Sequence, residues 1–217
     1  MLTDGLGLLI VLSGPSGVGK GTVCGGLIAN NKNITYSVSV TTRERRHNEK
    51  EGEHYFFVSE KAFSQMARNG EFLEYTQVFG ENSYGTPRKY VMDQLQAGRD
   101  VILEIDVQGG LQVRESFQEA VLIFVAPPSM EELKRRLVER GTETEEAIQR
   151  RTETAYREMQ CISFYDYVVI NDTLHNALQG IEAIIHAEKS RVTRRDDIVS
   201  LLLEGDEEGN DELSWSE

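Results

Sequence analysis

The run Leu6-Gly7-Leu8-Leu9-Ile10-Val11-Leu12-Ser13-Gly14-Pro15-Ser16-Gly17-Val18-Gly19-Lys20-Gly21-Thr22 decides the fold. Leu6–Leu12 is an unbroken apolar stretch, which suits a strand buried on both faces rather than one with a wet side. It ends in Gly14–Gly19, where glycines let the backbone turn tightly and aim its N–H groups inward as an anion-binding nest. A helix is expected to open at Lys20, adding the positive end of its dipole to the mobile lysine charge. A strand, a glycine-rich turn, a lysine and a helix in that order read as a phosphate loop. A glycine turn made for packing alone gives no reason for a lysine at that spacing. Gly14, Pro15, Ser16, Gly17, Val18, Gly19, Lys20, Gly21 and Thr22 are therefore the candidate nucleoside triphosphate contacts. The strict pattern asks for Ser or Thr after the lysine, whose hydroxyl would coordinate Mg²⁺, and here that position is Gly21. No residue is then a confident direct metal ligand; Mg²⁺ would come with ATP, held by the nucleotide and water.

Outward from this loop the chain alternates strand and helix. Asp100–Ile105, Ala120–Ala126 and Tyr167–Ile170 repeat the buried-strand pattern. Helical patterns fall at Pro87–Ala97, Ser129–Glu139, Glu145–Cys161 and Leu174–Ser190, with Ser129 and Glu132 spaced as a capping box. Strands separated by helices of this length predict βαβ units and a parallel sheet: an α/β, three-layer phosphate-loop fold. Thr41–Gly85 breaks the pattern, with aromatic alternating pieces at His54–Val58 and Phe72–Phe79 around a helical Lys61–Asn69. It reads as a small mixed α/β insertion.

Composition bounds the rest. With 217 residues the chain buries enough surface to need no staples. Its two cysteines, Cys24 and Cys161, form no metal-binding spacing and read as reduced cytosolic thiols. No apolar run approaches the ~18 residues of a membrane span, and the first residues do not form a signal peptide. A net charge of −13 disfavours gripping nucleic acid. Seven of the acidic residues lie in Glu204–Glu217, which has no basic residue; removing them brings −13 to −6. That segment reads as a solvated tail.

A second set of residues narrows the function. Arg43 and Arg46 follow the strand-like Ser37–Thr42, three apart, suited to converge on one phosphate through bidentate guanidinium bonds. Gly52–Phe57, Phe72–Tyr75 and Tyr84–Pro87 come after them in order.

These blocks resemble guanylate kinase, from about Leu8 to about Lys189. The resemblance rests on GPSGVGKGT (Gly14–Thr22), SVSVTTR (Ser37–Arg43), EGEHYFF (Glu51–Phe57), FLEY (Phe72–Tyr75) and YGTP (Tyr84–Pro87). LEIDVQG (Leu103–Gly109), APPS (Ala126–Ser129), RGTET (Arg140–Thr144) and VVIND (Val168–Asp172) complete it. It implies transfer of the ATP γ-phosphate to GMP and dGMP. It implies a GMP-phosphate clamp of Arg43, Arg46, Tyr55 and Tyr84, and guanine readers Ser39, Glu74 and Thr86. Glu104 and Asp106 would lie between the nucleotides, and Asp106 near Mg²⁺. Lys20, Arg43, Arg136, Arg140 and Arg151 would be the catalytic cations, and Asn171 would contact the ATP adenine region. Gly80–Gly85 is one residue longer than usual, with Ser83 where a first tyrosine often stands.

The resemblance also implies a layout: a domain over residues 1–204, with its core at 1–38 and 87–204. The GMP-binding insertion is 39–86, the lid about 137–151 and the acidic tail 205–217. The expected location is cytoplasmic, the partners are ATP and GMP or dGMP, neither nucleic acid nor membrane, and the sequence sets no oligomeric state. Two alternatives stand beside this reading: a different nucleoside monophosphate kinase, and a silent scaffolding module. Such modules usually lose the loop lysine and lid arginines, all of which stand in this sequence.

Overall fold

The structure is a computed structural model, and it describes residues 5–76, 82–139 and 145–195. Five parallel strands form the central sheet in the order β2-β7-β1-β8-β9: β1 Leu9–Ser13, β2 Ile34–Tyr36, β7 Asp100–Glu104, β8 Val121–Ala126 and β9 Tyr167–Ile170. Every residue of β1 and β8 is buried. β1 explains why its sequence is continuously apolar. Ile10 and Leu12 pack on one face with Val23 and Leu27 of α1 (Lys20–Asn30) and Ile181 of α7 (Leu174–Lys189). Leu9 and Val11 pack on the other with Val91 and Leu95 of α3 (Arg88–Gln96) and Val113 of α4 (Val107–Ser116). Successive strand residues point to opposite faces, so a strand between two helical layers has no polar position. Each such side chain taken from water contributes about 1.5–3 kcal/mol.

The Thr41–Gly85 segment builds a second sheet, order β4-β3-β6-β5, from β3 Val40–Thr41, β4 Phe56–Phe57, β5 Phe72–Thr76 and β6 Tyr84–Pro87. Helix α2, Glu60–Arg68, covers it through Phe63, stacked against Phe72 at 4.7 Å between ring centroids. β5 joins the sheets. Phe72 enters the small core with Phe63 and Val40, while its neighbour Leu73 enters the core beneath α3 and α4. Glu74 is thereby held at the seam.

The sequence pattern locates β9 to the residue and β7 and β8 to within one. It places β1 up to three residues early. Ser129 caps α5 (Met130–Glu139) by accepting from the Glu132 backbone N–H at 3.1 Å. The pattern gives no sign of α4. Gly109 and Gly110 interrupt its apolar spacing, and the Asp106 side chain starts it by accepting from Gly109 N–H at 2.7 Å. A Cβ on Gly109 would lie 3.1 Å from Glu74 Oε2, and one on Gly110 2.8 Å from Ser13 Oγ. The glycines weaken the helix and allow its close approach to both sheets. Helix α6, Glu145–Met159, follows residues 140–144, which lie outside the described residues with Arg140; the acidic tail also lies outside them. Among the described residues no helix is long and apolar enough to cross a membrane.

Candidate active site

The phosphate loop lies at the carboxyl end of β1. Gly14 takes φ 143° with its α-carbon against the Val125 carbonyl, where a Cβ would come within 2.1 Å. Gly19, φ 97°, sits over the Asn171 amide. Lys20 Nζ donates to the carbonyls of Gly14 at 2.6 Å and Pro15 at 3.3 Å, so the cation is folded over its own loop. Burial lowers the Lys20 pKa, while Glu158, Glu104 and Asp106 oppose that shift. Ser16, Gly17, Gly19, Lys20, Gly21, Thr22 and Glu104 enclose a cavity of about 440 Å³.

Behind the loop, Asn171 Nδ2 and Arg136 Nη1 both donate to the Val18 carbonyl, at 2.8 and 3.4 Å. Arg136 Nη2 also donates to the Asn171 carbonyl at 3.1 Å, and its Nε pairs with Glu132 at 2.8 Å. These two side chains therefore brace the loop in this structure. Arg151, from α6, donates to Ser16 Oγ at 2.6 Å.

A second cavity of about 270 Å³ is lined by Tyr36, Ser39, Tyr55, Glu74, Tyr84 and Asp106, among others, and again by Glu104. Glu74 is buried, and burial raises its carboxyl pKa to about 7; the Thr86 hydroxyl, donating at 2.5 Å, acts against that and Asp106 adds to it. Thr86 thus presents its proton to Glu74. Asp106 has one oxygen occupied at the start of α4 and lies past the end of β7. It shares the cavity with Glu104 through the turn into α4.

Arg43 is held by three neighbours. Its Nη2 pairs with Glu49 at 2.6 Å, its Nη1 donates to the Glu44 carbonyl at 2.8 Å, and its guanidinium lies over the Tyr55 ring at 5.4 Å. The Arg43 hydrogen bond is the largest of the effects holding the Glu49 carboxyl below its ordinary range. Tyr55 and Tyr84 meet edge to face at 6.0 Å. Burial raises the phenol pKa of Tyr55, with Tyr84 next among the causes. Arg46 is exposed beside them, its backbone N–H donating to Glu49 Oε2 at 2.8 Å. Ser83 points inward: it is buried, and its carbonyl accepts from Thr41 Oγ1 at 2.9 Å. Residues 77–81, which include Gly80 and Glu81 of the lengthened Gly80–Gly85 stretch, lie outside the described residues.

Sequence reasoning missed Tyr36, Glu49 and Glu158. Glu49 stands three residues after Arg46, a spacing that could have marked it; Tyr36 and Glu158 carry no signal beyond an aromatic at a strand end and an acid in a polar helix. A further cavity of about 550 Å³ lies at the opposite end of the sheet, lined by Arg114, Asp166, Glu188, Arg191 and Arg194 among others. Its charges pair with one another, Arg114 with Asp166 and Arg191 with Glu188, and no glycine-rich loop opens into it.

The loop and the glutamate pocket thus share one wall, and comparison with known proteins gives that pairing a family. The guanylate kinase family model matches residues 7–188. The chain belongs to the guanylate kinase family. A guanylate kinase from Clostridium tetani is 52% identical over 199 residues, covering 92% of this chain and 95% of the relative. Another guanylate kinase, from Caldanaerobacter subterraneus subsp. tengcongensis, is 52% identical over 192 residues, covering 88% and 93%. Among solved structures, guanylate kinase from Anaplasma phagocytophilum superposes with a TM-score of 0.69 at 38% identity, covering 88% of this chain and 90% of that one.

Proposed function

We infer that this chain transfers the γ-phosphate of ATP to GMP, giving ADP and GDP, and that dGMP is a second acceptor. The observation that carries the reading is Glu104, which lines both the phosphate-loop cavity and the glutamate pocket. Two nucleotide sites with a common wall suit direct transfer between bound phosphates. The reading divides the chain into an ATP-binding core (1–38 and 87–204), a GMP-binding insertion (39–86), a lid at about 137–151 and a tail (205–217).

In this reading Lys20 lies over the β- and γ-phosphates. Arg43, already held by Glu49 and stacked on Tyr55, meets the GMP phosphate as a bidentate donor, with Arg46, Tyr55 and Tyr84 completing the clamp. The Glu74 carboxylate accepts from guanine N1–H and the 2-amino group together, and Ser39 donates to O6. Thr86 orients Glu74 through its hydroxyl. Adenine offers the wrong donors, and a site built on buried hydrogen bonds rejects such an analogue because its own polar groups are left unpaired. The GMP phosphate is already anionic, so the reaction needs positioned cations and excluded water rather than a general base. Arg140 and Arg151 supply lid charge on closure, and Arg136 braces the loop.

Magnesium belongs to the same reading. Among the described residues no three His, Cys, Asp or Glu side chains cluster as a metal site. A Cβ on Gly21 would lie 3.4 Å from Glu104 Oε1, so a carboxylate faces the position where a hydroxyl is missing. Hard carboxylate oxygens beside phosphate and water fit Mg²⁺, with Glu104 and Asp106 as the residues that would hold its water shell. When bound it neutralises charge on the β- and γ-phosphates. A cytoplasmic location accompanies this reading, resting on the two free thiols.

A coupled assay with ATP and each of GMP, dGMP, AMP, CMP and UMP tests the assignment. Turnover restricted to GMP and dGMP is expected; equal turnover with AMP would remove the guanine assignment, and none with any acceptor would remove the kinase.

A further inference from the structure

Glu74 stands at an irregular place in β5. Phe72 lies opposite Pro87 and Glu74 opposite Thr86, so the register with β6 shifts between them and Leu73 has no ladder partner. A bulge of this kind turns its strand and leaves the extra residue's backbone unpaired. β5 is also the outer strand of its sheet, with β6 on one side only. An outer strand presents unpaired N–H and C=O groups along its free edge. Here α4 meets them with side chains. Ser116 Oγ donates to the Leu73 carbonyl at 2.7 Å, nearer than the Val113 carbonyl of its own helix at 3.3 Å. Gln112 Oε1 accepts from the Tyr75 N–H at 3.1 Å.

The two bonded backbone groups flank Glu74 on either side. Gln112 lies three residues after Gly109 and four before Ser116, so all three share one face of α4. Gly109 lets that face come close to the carboxylate, since a Cβ there would lie 3.1 Å from Glu74 Oε2. The helix is itself anchored at both ends. The Asp106 side chain accepts from Gly109 N–H at 2.7 Å, and Arg88 Nη1 donates to the Ser116 carbonyl at 3.4 Å. The Arg88 backbone N–H donates to the Glu71 carbonyl at 2.8 Å, so the end of α4 and the entry to β5 share one partner.

We propose that Gln112 and Ser116 are positioning residues for guanine recognition: they stand in for a strand along the free edge of β5 and fix the backbone on both sides of Glu74. A carboxylate that accepts two parallel bonds from a base must hold its tilt as well as its distance. Thr86 holds one oxygen, Oε1, and leaves the main chain behind it unfixed on the α4 side. Gln112 and Ser116 supply that second support. Because Asp106 both starts α4 and lines the pocket with Glu74, one helix sets the two acidic groups relative to each other. The proposal rests on Glu74 being the guanine reader of the proposed kinase.

Two acceptors separate this role from general support of the fold. Inosine monophosphate (IMP) lacks the 2-amino group of GMP and so makes one bond fewer to Glu74. The full chain is assayed with ATP and each monophosphate, and the ratio of the two kcat/KM values is read. Gln112→Leu removes the acceptor at nearly constant size, and Ser116→Ala removes the hydroxyl. In each, the GMP-to-IMP ratio should fall about three- to tenfold through a raised KM for GMP, with the KM for ATP within about twofold. Gln112→Glu keeps an acceptor oxygen at the same reach and should hold the ratio near that of the unaltered chain. Ser116→Ala carries the test alone if Gln112→Leu does not fold. Equal losses with GMP and IMP in the folded variants, or no loss with either, overturn the proposal. If Glu74→Gln leaves the ratio unchanged, the reading of Glu74 itself fails, a separate result.

Discussion

The Thr86 hydroxyl donates to Glu74 Oε1 at 2.5 Å, across the register pair these residues form between β5 and β6. The sheet therefore presets the carboxylate, and burial raises its pKa to about 7. On the proposed reading, guanine needs that carboxylate ionised. The value of kcat/KM for GMP should fall as pH drops below about 7, approaching tenfold per unit, while the KM for ATP changes little. Glu74→Gln should remove this limb. It also turns one acceptor into a donor facing guanine, which costs about 2–4 kcal/mol, or roughly 30- to 1000-fold in kcat/KM for GMP at pH 8. Steady-state kinetics from pH 5.5 to 8.5 decide it; an unchanged acid limb in the variant would show that another group titrates.

The same raised pKa gives a stability slope of definite sign. In the free protein Glu74 keeps its proton up to about pH 7, whereas unfolded it loses it near its ordinary 4.5. The folded state binds more protons in that window, so Glu74 makes stability fall as pH rises from about 4.5 to about 7 and adds nothing further above it. The contribution is about 3 kcal/mol over the window. Denaturant melts of the unaltered chain and Glu74→Gln should show a difference that shrinks by that order across it; parallel curves would contradict the raised pKa.

Lys20→Ala should reduce turnover by orders of magnitude with the chain still folded, since Lys20 donates only to the Gly14 and Pro15 carbonyls among the contacts described. Circular dichroism alongside the coupled assay checks it, and near-normal activity in a folded variant would sink the kinase reading.

Glu49→Ala should act on Arg43. Without the 2.6 Å partner the guanidinium keeps the Glu44 carbonyl, the Tyr84 hydroxyl and its place over the Tyr55 and Phe57 rings. We expect the KM for GMP to rise by about tenfold with the KM for ATP unchanged. Equal changes in both would mean that Glu49 supports the whole fold rather than the clamp.

Deleting residues 205–217 should leave both GMP kinase activity and the melting temperature nearly unchanged, because the segment is acidic and poor in apolar residues. A large fall in melting temperature would show that Leu213 and Trp215 pack on the core.

The sheet was readable because burial on both faces keeps Leu9–Leu12 and Val121–Ala126 apolar, and the phosphate loop because its glycines and lysine have few other uses. α4 was not readable. Gly109 and Gly110 are poor helix formers placed for close packing against Glu74 and Ser13, so local pattern and tertiary need point in opposite directions there. Arg136 and Asn171 were named from the sequence, but their bonds to the Val18 carbonyl depend on segments far apart in it. Glu49 bears on the site through the Arg43 guanidinium it faces, and a sequence does not say what an acidic side chain faces.

The two cysteines give the protein an intrinsic label site. Cys24 is buried within α1, and burial together with Glu104 pushes its thiol up to about 12, so thiol reagents find neither access nor thiolate there. Cys161 is only half-buried and stands two residues past the end of α6. A maleimide dye added to the unaltered chain will therefore attach at Cys161 and report optically, nucleotide by nucleotide, on the helix that carries Arg151 and Glu158.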